Sequence, residues 1–155
     1  MHTVISRFFR HGQRRHSWPV GQLRYRAALF SFRVPAGFPS PAQDHIEKKI
    51  SLDELLNVFA PQSYYVRIVG DSMIGVGLFD DDVVIVDRSL DAVSGDVIIG
   101  AIDNDPLVKT YTREGNQVVL RSENPGYAPR YVLEGEQFEV WGVVKGGLRM
   151  FRRHA

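Results

Sequence analysis

The chain has 155 residues, 44% of them hydrophobic, which suits one folded unit with a substantial core. It contains no cysteine, so a disulfide framework and a thiolate metal site are excluded. Its longest apolar runs fall well short of the ~20 residues that a membrane-spanning helix requires. The net charge of +1 conceals an asymmetry: residues 1–33 carry seven arginines and no acidic group, whereas the remaining 122 residues carry 12 basic and 18 acidic groups, a balance of −6.

Arg7, Arg10, Arg14, Arg15, Arg24, Arg26 and Arg33 define a basic arm joined to an acidic domain. Clustered arginines suit phosphate contacts. Trp18, Pro19 and Gly21 nevertheless interrupt any helical period, and no helix-turn-helix pattern is visible. The arm therefore reads first as a solvated tail, and any DNA contact it makes is not expected to be specific. It is Arg-rich like an organellar transit peptide but lacks the apolar core of a secretory signal, so localisation does not rest on the arm; the cysteine-free composition fits the cytoplasmic protein that is expected. Val34-Pro35-Ala36-Gly37-Phe38-Pro39-Ser40-Pro41 follows, with three prolines and one glycine in eight residues. This composition prevents helix and discourages strand pairing, so the segment reads as an extended, accessible linker. Its small residues Ala36 and Gly37 also suit a narrow hydrolase cleft.

Ser51-Leu52-Asp53-Glu54 has capping-box form and predicts a short helix through about Phe59, with Leu52, Leu55, Leu56 and Phe59 on its apolar face and Pro61 beyond its end. The pattern then changes to strands, expected near 64–69, 83–87, 96–102, 107–112, 117–121 and 138–144, with a last one near 147–152. Turns are expected at Asp80-Asp81-Asp82, Ser94-Gly95-Asp96, Asp103-Asn104-Asp105-Pro106 and Glu114-Gly115-Asn116. Strands that follow one another without intervening helices predict a small, mostly β domain with antiparallel pairing.

Within this pattern, Gly70-Asp71 breaks a strand immediately before Ser72, and Met73-Ile74 begins a helical turn halted by Gly75 and Gly77. A serine at such a bend projects its hydroxyl, and backbone amides there, those of Ser72 and Met73, are free to bind a developing oxyanion. A serine in that position is also an ordinary N-cap. Lys109, in Leu107-Val108-Lys109-Thr110, supplies a possible base. It shares a strand face with Leu107 and Tyr111, while Val108, Thr110 and Thr112 share the other. Turned inward, its ammonium would be costly to bury and its pKa would fall, letting the neutral amine take a proton from Ser72. Turned outward, it is an edge lysine reaching solvent.

Other chemistries are weaker. His2, His11 and His16 lie in the arm, His154 is penultimate, and a serine triad would need His45 to fold back from the linker. No His, Asp and Glu cluster has metal-ligand spacing, Asp80-Asp81-Asp82 reads as a solvated turn, and no phosphate-cradling glycine loop is present. Neither a metal nor a cofactor is expected.

Gly70-Asp71-Ser72-Met73, Asp82-Val83-Val84-Ile85-Val86-Asp87, Ser94-Gly95-Asp96-Val97, Val108-Lys109-Thr110 and Val140-Trp141-Gly142-Val143-Val144 resemble, in order and spacing, the LexA/UmuD family of self-cleaving serine peptidases of S24 type. The resemblance covers roughly residues 34–145, and Gly37-Phe38-Pro39-Ser40-Pro41-Ala42 looks like the start of a mature UmuD fragment. It implies a Ser72–Lys109 dyad, Ser72 as nucleophile and Lys109 as general base, cutting at Ala36-Gly37. It divides the chain into an arm, 1–36, removed by cleavage, and a peptidase-type β domain, 37–155. It further implies a bacterial SOS-response protein whose cleavage is assisted by a RecA filament on single-stranded DNA. The shortened homodimer would join a UmuC-like Y-family polymerase in translesion synthesis. Pro35 removes a backbone donor next to the cut, which slows cleavage if an extended substrate strand uses that donor in pairing and does not if the position faces solvent. Only 36 residues precede Gly37, which favours the UmuD-like branch. A LexA-like repressor fragment, and a non-cleaving regulatory or DNA-binding module with a vestigial dyad, are the alternatives.

Overall fold

The computed structural model describes residues 27–30 and 46–151. Most of the arm, the linker with Pro35, Ala36 and Gly37, and all five histidines lie outside the described residues.

Two strands that the residue pattern did not signal come first. β1 (Ala27–Phe30) pairs antiparallel with β2 (Ile46–Ile50), from Ala27 opposite Ile50 to Phe30 opposite Ile46, as a separate two-stranded sheet. The Ile-Glu-Lys-Lys-Ile sequence of β2 has no period-two alternation, so only its partner reveals it as a strand. Helix α1 (Leu52–Leu56) starts at Ser51, whose side chain accepts from the Asp53 amide at 3.2 Å. It stops at Asn57, which adopts the left-handed conformation at φ 52° and returns its N–H to the Asp53 carbonyl. The helix is thus shorter than expected, and Leu52, Leu55 and Phe59 are exposed. Five residues are too few turns to lay an apolar stripe on the core.

The main sheet has seven strands: β3 (Ser63–Arg67), β4 (Val83–Asp87), β5 (Val97–Ile102), β6 (Asp105–Glu114), β7 (Gln117–Arg121), β8 (Arg130–Tyr131) and β9 (Phe138–Leu148). Their order is β3-β4-β9-β5-β6-β7-β8, with every pairing antiparallel. The two expected C-terminal strands are one. β9 runs unbroken between β4 and β5, with register shifts that leave Trp141 unpaired against β5 and Lys145 unpaired against β4. These bulges bend a strand too long to stay flat. The β5–β6 turn is tighter than expected, because Asp103 and Asn104 both take positive φ, 49° and 70°, and β6 already begins at Asp105. Pro106 is tolerated inside β6 because β7 pairs only from Thr110 onward.

Both faces of this sheet are apolar. Ile98, Ile102, Tyr111, Leu120 and Val143 form one buried cluster, and Ile68, Val84, Val86 and Ile99 form another. Adjacent Ile98 and Ile99 go to different clusters, as strand alternation requires.

Candidate active site

The chain leaves β3 at Arg67 and makes a compact excursion before β4. Ile68 donates to the Asp82 carbonyl at 2.8 Å, and Asp81 donates back to Ile68 at 2.9 Å, closing the base of the excursion. Gly70, at φ 89°, ends the extended path, and the Asp80 carboxylate accepts from its amide at 2.7 Å. Asp71, Ser72 and Met73 follow, and then a 3-10 turn over Ile74–Val76 closed by Gly77 at φ 83°. Gly75 lies inside that turn and does not halt it. Its amide donates to the Glu123 carbonyl at 2.6 Å, and a Cβ at this position would collide with the same oxygen. Met73, 1% exposed, occupies the N-cap position without a side-chain cap bond. The N-cap reading of Ser72 is thereby removed.

Lys109 Nζ lies 2.9 Å from Ser72 Oγ, joining residues 37 apart in the chain. Lys109 sits opposite Ile98 on β6, one residue short of the pairing with β7, yet it is half-buried and its amine meets the Ser72 hydroxyl and not open solvent. The edge-lysine reading therefore fails. Burial pushes its pKa below the ordinary lysine value, because the ammonium loses hydration. The Ser72 and Met73 amides donate to no described residue, so two adjacent N–H groups remain beside the hydroxyl.

Three residues absent from the sequence reading hold the Ser72 bend from one side. Tyr127 donates its hydroxyl to Asp71 Oδ1 at 2.5 Å, and that bond raises the Tyr127 pKa. Asn124 Nδ2 donates to the Asp71 carbonyl at 3.0 Å, and Glu123 supplies the carbonyl that receives Gly75. The Asn124-Pro125-Gly126 turn signature was available, but nothing local indicated what it would touch. Asp80-Asp81-Asp82 is also not a plain solvated turn. Asp80 binds Gly70, Asp81 pairs with exposed Arg67 at 2.6 Å, and Asp82, 4% exposed, receives Arg149. A cavity of about 420 Å³ opens beside the turn, lined by Val76, Gly77, Leu78, Val97, Val144 and Gly146 among others.

Comparison with known proteins identifies a family. The family model described as Peptidase S24-like matches residues 28–145. The LexA repressor of Colwellia psychrerythraea is 37% identical over 122 residues, covering 77% of this chain and 57% of the relative. That of Psychromonas ingrahamii is 35% identical over 119 residues, covering 76% and 56%. That of Ectopseudomonas mendocina is 36% identical over 119 residues, covering 76% and 57%. The chain thus spans little more than half the length of these relatives.

Proposed function

This chain belongs to the Peptidase S24-like family, and we propose that Ser72 and Lys109 form a dyad that cuts its own backbone between Ala36 and Gly37. The observation that carries the reading is the 2.9 Å approach of Lys109 Nζ to Ser72 Oγ, made by a lysine whose burial favours the neutral amine. Lys109 takes the hydroxyl proton as Ser72 Oγ attacks the Ala36 carbonyl carbon. The Ser72 and Met73 amides hold the resulting oxyanion. The protonated Lys109 then gives its proton to the departing Gly37 amine, leaving Ala36 esterified to Ser72. Water, deprotonated by the same lysine, hydrolyses the ester and restores the dyad. The pairing of β1 with β2 supports this reading, because it brings together the two described strands that flank Ala36 and Gly37 in the chain.

The finer reading is UmuD-like: RecA on single-stranded DNA promotes the cut, and the Gly37–Ala155 fragment dimerises and serves a UmuC-like Y-family polymerase. A second reading, the cleavable portion of a LexA-like repressor, is favoured by the names of the relatives. The purified chain is incubated at alkaline pH, and separately with RecA, ATP and single-stranded DNA, and analysed by mass spectrometry. A new N-terminus at Gly37, lost in Ser72→Ala and Lys109→Ala, supports the dyad; an intact chain under both conditions overturns it. Co-purification of the Gly37 fragment with a Y-family polymerase supports the accessory role. Sequence-specific operator binding by the uncut chain favours the repressor reading instead.

A further inference from the structure

The nucleophile turn is held at both ends, and its second anchor comes from the far end of the chain. Asp82, 4% exposed, accepts Arg149 Nε at Oδ1 (2.8 Å) and Arg149 Nη2 at Oδ2 (2.5 Å). The same Nη2 donates to the Gly77 carbonyl at 2.8 Å. The guanidinium also lies 4.1 Å from the Phe79 ring centroid, and Phe79 donates its amide to Asp82 Oδ2 at 2.9 Å. Two carboxylate contacts, one carbonyl contact and a stacked ring fix a planar fork in a single orientation.

Gly77 leads directly to Ser72. The Gly77 amide donates to the Ile74 carbonyl at 3.0 Å, and the Val76 and Leu78 amides both donate to the Met73 carbonyl at 3.2 Å. A restraint on the Gly77 carbonyl is therefore passed through one 3-10 turn to Met73, the buried neighbour of Ser72. Asp71, on the other side of Ser72, is already held by Asn124 and Tyr127. Without Arg149 the turn would be fixed at its start and at Gly75 but loose at its end.

We propose that Arg149 is a positioning residue for Ser72: by binding the Gly77 carbonyl while locked on Asp82, it holds the nucleophile turn at the distance Lys109 requires. This deepens the Ser72–Lys109 reading and rests on it. It also makes the stretch just past β9 part of the catalytic machinery, although Arg149 touches no reacting atom.

Arg149→Lys is the informative variant. A lysine keeps the charge contact with Asp82 but has no planar fork to reach Gly77 as well. Asp82→Asn is the second variant, since it removes the charge that orients Arg149 while keeping the shape. In the full chain, well below the melting midpoint, we expect Arg149→Lys to slow self-cleavage by about tenfold or more, because misplacement on the order of 1 Å costs roughly a hundredfold in rate. The pH midpoint of the rate should stay at the wild-type value, since Lys109 is untouched, and amides 76–78 should exchange hydrogen faster than in wild type. Asp82→Asn should act in the same direction. A wild-type rate in Arg149→Lys overturns the proposal, and so does a slowed rate with a displaced pH midpoint, which would mean that Arg149 acts on the base. If the wild-type chain does not cleave, the dyad reading falls and amide exchange alone decides the clamp: faster exchange at 76–78 in Arg149→Lys supports it, and unchanged exchange overturns it.

Discussion

Lys109 is expensive to bury, and its cost has a definite pH signature. Its pKa is lowered in the fold, so the folded chain binds fewer protons than the unfolded chain between the depressed value and the ordinary one of 10.5. Stability should therefore rise with pH through that window, and the penalty is fully present below it. Lys109→Met should raise the melting temperature at neutral pH, with the gain shrinking as the pH rises through that window and gone above 10.5, while abolishing self-cleavage. Cleavage in the wild type should rise with pH and level off at a midpoint below 10.5, read from the rate of Gly37 N-terminus formation. Lys109→Arg, which cannot lose its proton, should cut the rate by roughly 10²-fold or more. Tyr64 offers a control remote from this chemistry. Burial pushes its pKa up to about 12, and its hydroxyl finds no partner among the described residues. The shift costs nothing below pH 10, where the phenol is neutral in both states, and lowers stability as the pH rises from 10 through about 12, because the unfolded chain ionises first. Tyr64→Phe should be neutral or stabilising by about 1 kcal/mol in urea melts, and should remove a phenolate step near pH 12 from an absorbance titration.

The elements around Ser72 work by close backbone approach. At Gly75 a methyl group would strike the Glu123 carbonyl. Gly75→Ala should cost about 1–3 kcal/mol in denaturant midpoint and slow cleavage by more than its unfolded fraction explains, because the turn must move away from the Glu123 segment. Gly142 is confined in the same manner where β9 crosses β4: an added Cβ would lie 2.7 Å from Val86 Cγ1 and 2.8 Å from the Asp87 carbonyl. The Asp82–Arg149 pair ties the start of β4 to the residue after β9. Hydrogen bonding to Arg149 is the main cause that holds the Asp82 carboxyl below its usual range. Its contribution is complete above pH 3.8 and lost as the pH falls through the depressed value, so Asp82→Asn should flatten the acid limb of the stability curve. None of these three contacts has a local sequence signature, since each joins residues far apart in the chain.

For the whole molecule, the proposed cut is an electrostatic event. The uncut chain carries +1, and the Gly37–Ala155 product carries −6, because every acidic residue lies beyond the cut and seven arginines lie before it. The product should bind an anion exchanger at neutral pH from which the parent elutes early. The cut alone does not free the arm, because β1 remains paired with β2 across it. A lone two-stranded ladder is marginal in water, so the 1–36 fragment should separate on gel filtration without denaturant. Much of this organisation is already present in the one-dimensional chain. Recurring Val and Ile runs bounded by Gly, Asp and Asn specify an antiparallel β domain, and Gly70-Asp71 before Ser72 specifies a bend, because alternation and turn chemistry are local properties. The charge division also belongs to composition alone. Other features depend on which strands become neighbours. The β1–β2 pairing, the bulged course of β9, the inward direction of Lys109, the Asn124 and Tyr127 hold on Asp71 and the Arg149 clamp all arise between segments distant in sequence. Alternation placed Lys109 on one of two faces; only the approach of the Ser72 turn, 37 residues away in the chain, decided that this lysine meets a hydroxyl and not water.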